Sequence, residues 1–208
     1  MLDQAPPEPV RLILASGSRA RKNMLTAAGL TFEIVPADID EDAITSLMIS
    51  ESDCIEAADI ARALASEKAL AVARAHPSAL VIGSDQVLAL GRRKLSKAKT
   101  IADARETLQA LRGQTHELVS AVALASDGEL LWQSIEAAQL TMRLFSDDFL
   151  ERYLTSSGNR ILSSVGCYEI EGDGIQLFER IEGDHFTIMG MPLLRLLNEL
   201  RARAVVLA

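Results

Sequence analysis

Ser16, Ser18 and Arg21 fall within six residues, directly after the apolar run Leu12-Ile13-Leu14-Ala15. Beyond them Met24, Leu25 and Ala28 recur at helical spacing, and Gly29 stands where a helix C-terminus favours it. Strand, small polar turn and basic helix start suit the holding of an anion. Unpaired backbone N–H groups at a helix N-terminus favour negative charge, two hydroxyls add donors, and an arginine fork matches phosphate oxygens. The bland alternative is an ordinary strand–helix unit with solvated arginines. No Gly-Lys pair occurs anywhere in the chain, so a Walker loop is excluded.

Two further stretches could complete such a site. Ala79-Leu80-Val81-Ile82 reads as a second buried strand that ends in Gly83-Ser84-Asp85-Gln86. Asp85 is thus expected just past the C-terminal end of that strand, where open α/β sheets place their ligands. Arg92, Arg93, Lys94, Lys97 and Lys99 put five cations within eight residues, for either a phosphate chain or a solvated loop. The acidic run Asp38-Ile39-Asp40-Glu41-Asp42 is either a solvated loop or a source of carboxylate for a hard divalent cation.

These residues need a scaffold, and the patterning supplies one of mixed α/β class. Thr31 to Val35 alternates like a strand, and Pro36 ends it. Ile60, Ala61, Leu64, Ala65, Ala69 and Val72 mark one face of a long helix from Glu56 to Ala75, in which Glu67 and Lys68 read as surface charges. Thr100 and Asp103 form a capping box for a helix that Gly113 ends. Strands around Asp127-Gly128 form a hairpin, and Ser146 caps a helix that Ser156-Ser157-Gly158-Asn159 breaks. Ile175 to Ile181 reads as a strand, and Pro192 opens a closing amphipathic helix. His116, alone at the start of a strand, reads as structural.

Composition narrows the partners. The chain has 208 residues, 49% apolar and 24% charged, enough for one domain at 10–208 after a flexible tail at 1–9 that carries Pro6, Pro7 and Pro9. A net charge of −8 and an aromatic content of 4% argue against nucleic acid, which needs basic surface and stacking rings. No stretch is long and apolar enough for a membrane span. Cys54 and Cys167 lack metal or redox spacing, and the tail has no signal core, so the expected location is cytoplasmic.

Three stretches in register resemble the Maf family of nucleoside triphosphate pyrophosphatases, formerly described as septum-formation inhibitors. They are Leu12 to Leu25, Val81 to Val87 and Gly166 to Asp184; Ala65 to Ala69, Leu111 to His116 and Met189 to Leu193 support them. The resemblance implies an elongated, twisted mixed sheet similar to the inosine triphosphatase fold, with two lobes and a central cleft. It further implies hydrolysis of a nucleoside triphosphate to the monophosphate and pyrophosphate, with Mg or Mn, in a homodimer. On this reading Asp85 is the catalytic aspartate, and Ser16, Ser18, Arg21, Lys68 and Lys97 bind phosphate. Asp85 and Glu41 hold the metal.

Departures from the family pattern are specific. Ser18-Arg19-Ala20-Arg21 stands where Ser-Pro-Arg-Arg is common, Ala98 replaces a proline after Lys97, and Ser163-Ser164 replaces an Asp-Lys pair. Ala20, Gln86 and Glu171 mark substrate specificity. Gln86 and Glu171 resemble the subgroup acting on 7-methyl-GTP rather than on dTTP or UTP, and a carboxylate suits a guanine edge better than the O4 acceptor of thymine or uracil. The competing expectation is a non-catalytic nucleotide-binding regulator of cell division with a worn site.

Overall fold

The computed structural model describes residues 10–51 and 55–207, so the expected tail and Cys54 lie outside the described residues. The chain runs β1 (Leu12–Leu14), α1 (Arg19–Ala27), β2 (Glu33–Ile34), α2 (Glu41–Glu51), α3 (Ala57–Ala75), β3 (Leu80–Leu90) and β4 (Arg93–Leu95). It continues through α4 (Ile101–Leu111), β5 (Thr115–Ser126), β6 (Glu129–Met142), α5 (Asp147–Ser157), β7 (Phe178–Glu182), α6 (His185–Ile188) and α7 (Leu193–Ala202). Two 3-10 turns, Gly158–Ser163 and Asp173–Leu177, precede β7.

One mixed sheet joins the strands in the order β2-β1-β3-β5-β6-β7, with β4 folded back onto β3. β1 pairs in parallel with β2 and β3, and every other pairing is antiparallel. The spine is the long β3, β5 and β6. β3 and β5 stay in one register from Val81 opposite Ala125 to Ala89 opposite Glu117. At about 3.3 Å per residue this makes an elongated floor.

Strand alternation sends Val81, Val87 and Ala89 to one face of β3, against α3, and Leu80 and Ile82 to the other, against α1 and α7. A second lobe forms over the far ends of the same strands, where Leu88, Leu118 and Leu140 meet Leu108 of α4 and Leu150 of α5. The cleft lies between the two lobes and has a volume of about 1660 Å³.

α3 lies very close to the sheet because its facing stripe is Ala61, Ala65, Ala69 and Ala73, all at or below 1% exposure, over Gly83. A Cβ on Gly83 would sit 2.1 Å from the Ala65 carbonyl oxygen and 2.6 Å from the Ala69 nitrogen. This corrects the expectation that the strand ends at Gly83 and leaves Asp85 just past it. β3 continues to Leu90, so Asp85 stands in mid-strand, and the glycine serves helix approach instead of strand termination.

Three other expectations change. The acidic run is not a loop throughout: Asp40 accepts a bond from the Ala43 N–H at 2.9 Å, and Glu41 and Asp42 form the first turn of α2. The expected strand at Thr31 to Val35 shrinks to Glu33–Ile34. The first half of Ile175 to Ile181 is a 3-10 turn, and pairing starts only at Phe178. By contrast, the Thr100–Asp103 capping box, the Ser146 cap and the Asp127-Gly128 turn, with φ of 51° and 80°, form as read.

Candidate functional site

Ser18 caps α1, and its Oγ accepts a bond from the Arg21 N–H at 3.4 Å. Ser16 Oγ accepts from the Ser18 N–H and from Arg21 Nη1, both at 3.2 Å. Arg21 Nε donates to the Gly190 carbonyl at 2.9 Å, so the guanidinium is fixed from two sides. Burial lowers its pKa, opposed by the charges of Asp85 and Glu41. Ser84 Oγ donates to the Ala121 carbonyl at 2.8 Å and also approaches Gly190 O at 3.0 Å, which pins the segment that holds Arg21.

Asp85 projects from β3 toward α3, where Lys68 Nζ donates to its Oδ1 at 2.6 Å. The same ammonium lies 2.7 Å from Glu41 Oε1 at the start of α2. Lys68 is therefore not the surface charge read from α3. It continues the buried stripe Ile60, Leu64, Lys68, Val72, and it survives there because two carboxylates neutralise it. Two of its three N–H groups are engaged, which leaves the third for a ligand. Burial raises the pKa of Asp85, against the pull of Lys68 and then Arg21, so this carboxylate holds a proton more readily than an exposed one.

Lys97, in the loop after β4, faces the same space. Its pKa is lowered, first by partial loss of water and then by the like charge of Arg21. Lys94 of the basic patch is engaged elsewhere, donating to the Ile55 carbonyl at 2.6 Å. Ser16, Ser18, Arg21, Glu41, Lys68, Asp85 and Lys97, drawn from segments far apart in sequence, all line the one cleft.

The residues read as specificity positions line it too. Ala20 and Glu171 are open to it. Gln86, on the opposite face of β3 from Asp85, directs its amide nitrogen at Ser120 Oγ, Thr187 O and Ile188 O at 3.0 to 3.1 Å and so ties α6 to the sheet. Ser163 and Ser164 also reach the cleft, with Ser163 Oγ donating to Arg160 O at 2.8 Å. Ala98 is buried in the second lobe's core.

Sequence reasoning missed a group on the cleft's second wall. Arg160 pairs with Glu169 at 2.8 Å and with Asp173 at 3.2 Å. Arg19 reaches across from α1 to the same Glu169 at 3.3 Å. The only available signal was a lone arginine after the Ser156 to Asn159 helix break.

His116 is structural, as its isolation suggested. Its Nε2 lies 2.7 Å from the Tyr168 hydroxyl, and both are buried. Burial pushes its pKa from 6.5 down to about 4. Unfolded chains take up the proton as pH falls through 6.5, while the fold refuses it until about 4, so His116 makes stability fall as pH drops through that window. The expected loss is about 3 kcal/mol. Urea unfolding of wild type and His116→Gln at pH 7, 5.5 and 4.5 measures it. The two must diverge in slope across that range, and parallel curves would refute the assignment.

Residues 11–203 match the family described as Maf-like protein. The chain belongs to the Maf family. A Maf relative from Rhizobium etli, named 7-methyl-GTP pyrophosphatase, is 49% identical over 191 residues, which is 92% of this chain and 95% of that one. Another, from Granulibacter bethesdensis and named nucleoside triphosphate pyrophosphatase, is 49% identical over 192 residues, covering 92% and 96%. A solved nucleoside-triphosphatase / dITP/XTP pyrophosphatase from Mycobacterium abscessus superposes with a TM-score of 0.37 at 15% identity over 94% and 96% of the two chains, too distant to carry an argument. The Maf assignment therefore rests on sequence.

Proposed function

We propose that this Maf-family cleft hydrolyses a nucleoside triphosphate to the monophosphate and pyrophosphate, with 7-methyl-GTP preferred over dTTP and UTP. The observation that carries the reading is the buried Asp85 carboxylate on Lys68, facing a wall built from Arg21, Ser16 and Lys97. Water attacks the α-phosphorus, a new P–O bond forms, and the bond to the α–β bridging oxygen breaks as pyrophosphate departs. Asp85 accepts the proton of the attacking water, a role that its raised pKa favours. Arg21, Lys68 and Lys97 neutralise the phosphate oxygens, and Arg21 arrives already oriented by Gly190 and Ser16.

Asp85 and Glu41 are the carboxylates that would hold a divalent cation: Lys68 bridges them at 2.6 and 2.7 Å, their remaining oxygens are hard ligands, and phosphate and water would supply the other positions. Mg or Mn held there would supply Lewis-acid polarisation of phosphate oxygens. Homologue names support the nucleotide class, and Glu171, open to the cleft, supports a guanine edge. The same reading makes the protein a cytoplasmic homodimer without nucleic-acid partners, in keeping with a charge of −8. Among the described residues no helix is long and apolar enough to cross a membrane.

A panel of 7-methyl-GTP, dTTP, UTP and inosine triphosphate with Mg²⁺, read by phosphate release through a coupled pyrophosphatase, tests the proposal. The expected result is release from all or some, with the highest kcat/KM for 7-methyl-GTP. Faster turnover of dTTP or UTP would overturn the base assignment. Silence across the panel would favour a non-catalytic nucleotide binder.

A further inference from the structure

We propose that Arg19 is an additional phosphate-binding residue, parked on Glu169 in the free protein and taken over by the triphosphate on binding. The inference rests on the pyrophosphatase reading of the cleft. Arg19 is the first residue of α1, two positions before Arg21, and its guanidinium lines the same cleft. Its side chain is 71% exposed and makes one contact with Glu169, through Nη2 at 3.3 Å, so most of the donor fork is free. Glu169 has a shorter bond, 2.8 Å, to Arg160, which is itself braced on Asp173 at 3.2 Å.

That asymmetry makes the contact exchangeable. Glu169 can lose Arg19 and remain neutralised by Arg160, so departure of Arg19 strands no charge. An exposed ion pair of this kind holds weakly, whereas a phosphate chain offers more charge and a geometry matched to the fork. Arg19 also supplies a cation beside Ala20, on the turn of helix that bears Arg21.

The test uses the full chain and inorganic pyrophosphate as probe, with Arg19→Gln and Glu169→Gln. Arg19→Gln should raise both the KM for the nucleoside triphosphate and the inhibition constant of pyrophosphate about tenfold, with the uncharged nucleoside binding as before. Glu169→Gln should tighten pyrophosphate a few-fold, because Arg19 loses its resting partner, and the double variant should behave as Arg19→Gln. A pyrophosphate constant for Arg19→Gln within twofold of wild type would overturn the proposal. So would a Glu169→Gln variant that binds pyrophosphate more weakly. Thermal shifts with pyrophosphate read Arg19 without turnover, so an inactive wild type would defeat the pyrophosphatase reading and leave this test standing.

Discussion

Asp85→Asn is expected to remain folded and to lose at least about 100-fold in kcat, the usual scale for removing a preorganised charged group from a reaction centre. Asparagine keeps the shape, and its Oδ1 can still accept the bond that Lys68 Nζ makes at 2.6 Å. Lys68 also retains Glu41 at 2.7 Å, so the buried ammonium is not left alone. Relief of a desolvated carboxylate and loss of one ionic partner oppose each other, and the net stability cost should be about 1 to 2 kcal/mol. What the variant cannot do is take a proton from water. Steady-state kinetics on the preferred nucleotide, beside a urea melt, decide the matter: more than half of the wild-type rate in a folded variant would remove Asp85 from the chemistry.

Gly83→Ala attacks the same centre from outside it. The added methyl would lie 2.1 Å from a backbone oxygen and 2.6 Å from a backbone nitrogen of α3, and backbone cannot swing aside as a flexible side chain does. The helix must retreat from β3, at a cost of about 3 kcal/mol. Lys68 travels with it, one residue from Ala69, and its short bond to Asp85 opens. The molecules that stay folded should therefore show kcat reduced at least about tenfold, since small misplacements of charged groups are expensive. Denaturant midpoint and kcat, measured together, must both fall. A variant with either property at the wild-type level would mean that α3 has slack that the geometry denies.

Features decided by neighbours in the chain were legible from sequence, and features decided across space were not. The β1–turn–α1 unit, the Thr100–Asp103 box and the Asp127-Gly128 hairpin depend on local hydrogen bonds that residue types announce. The start of α2 was equally local, with Asp40 as a cap and two acids behind it, and was lost because an acidic run invites a loop reading. Gly83 misled for a physical reason. A glycine can end a strand or admit a close neighbour, and only the alanine stripe of α3, read together with it, tells the two apart. Lys68 carried a signal as well, since it occupies the next place in the Ile60, Leu64 series, where an unpaired lysine would be intolerable. Arg160 offered only its place after a helix break and Glu169 offered nothing, because what joins them to Arg19 is the meeting of two walls of a cleft.

The unbroken register of β3 against β5 beneath both cores has a bearing on how such a protein could change its diet. Asp85 is anchored in that ladder opposite Ala121, whereas Glu169 and Glu171 sit on a loop that no strand constrains. On the proposed function, mutational drift in the loop would alter which base is admitted while the Asp85 end is inherited intact. One scaffold can thus found a lineage of enzymes with divergent tastes.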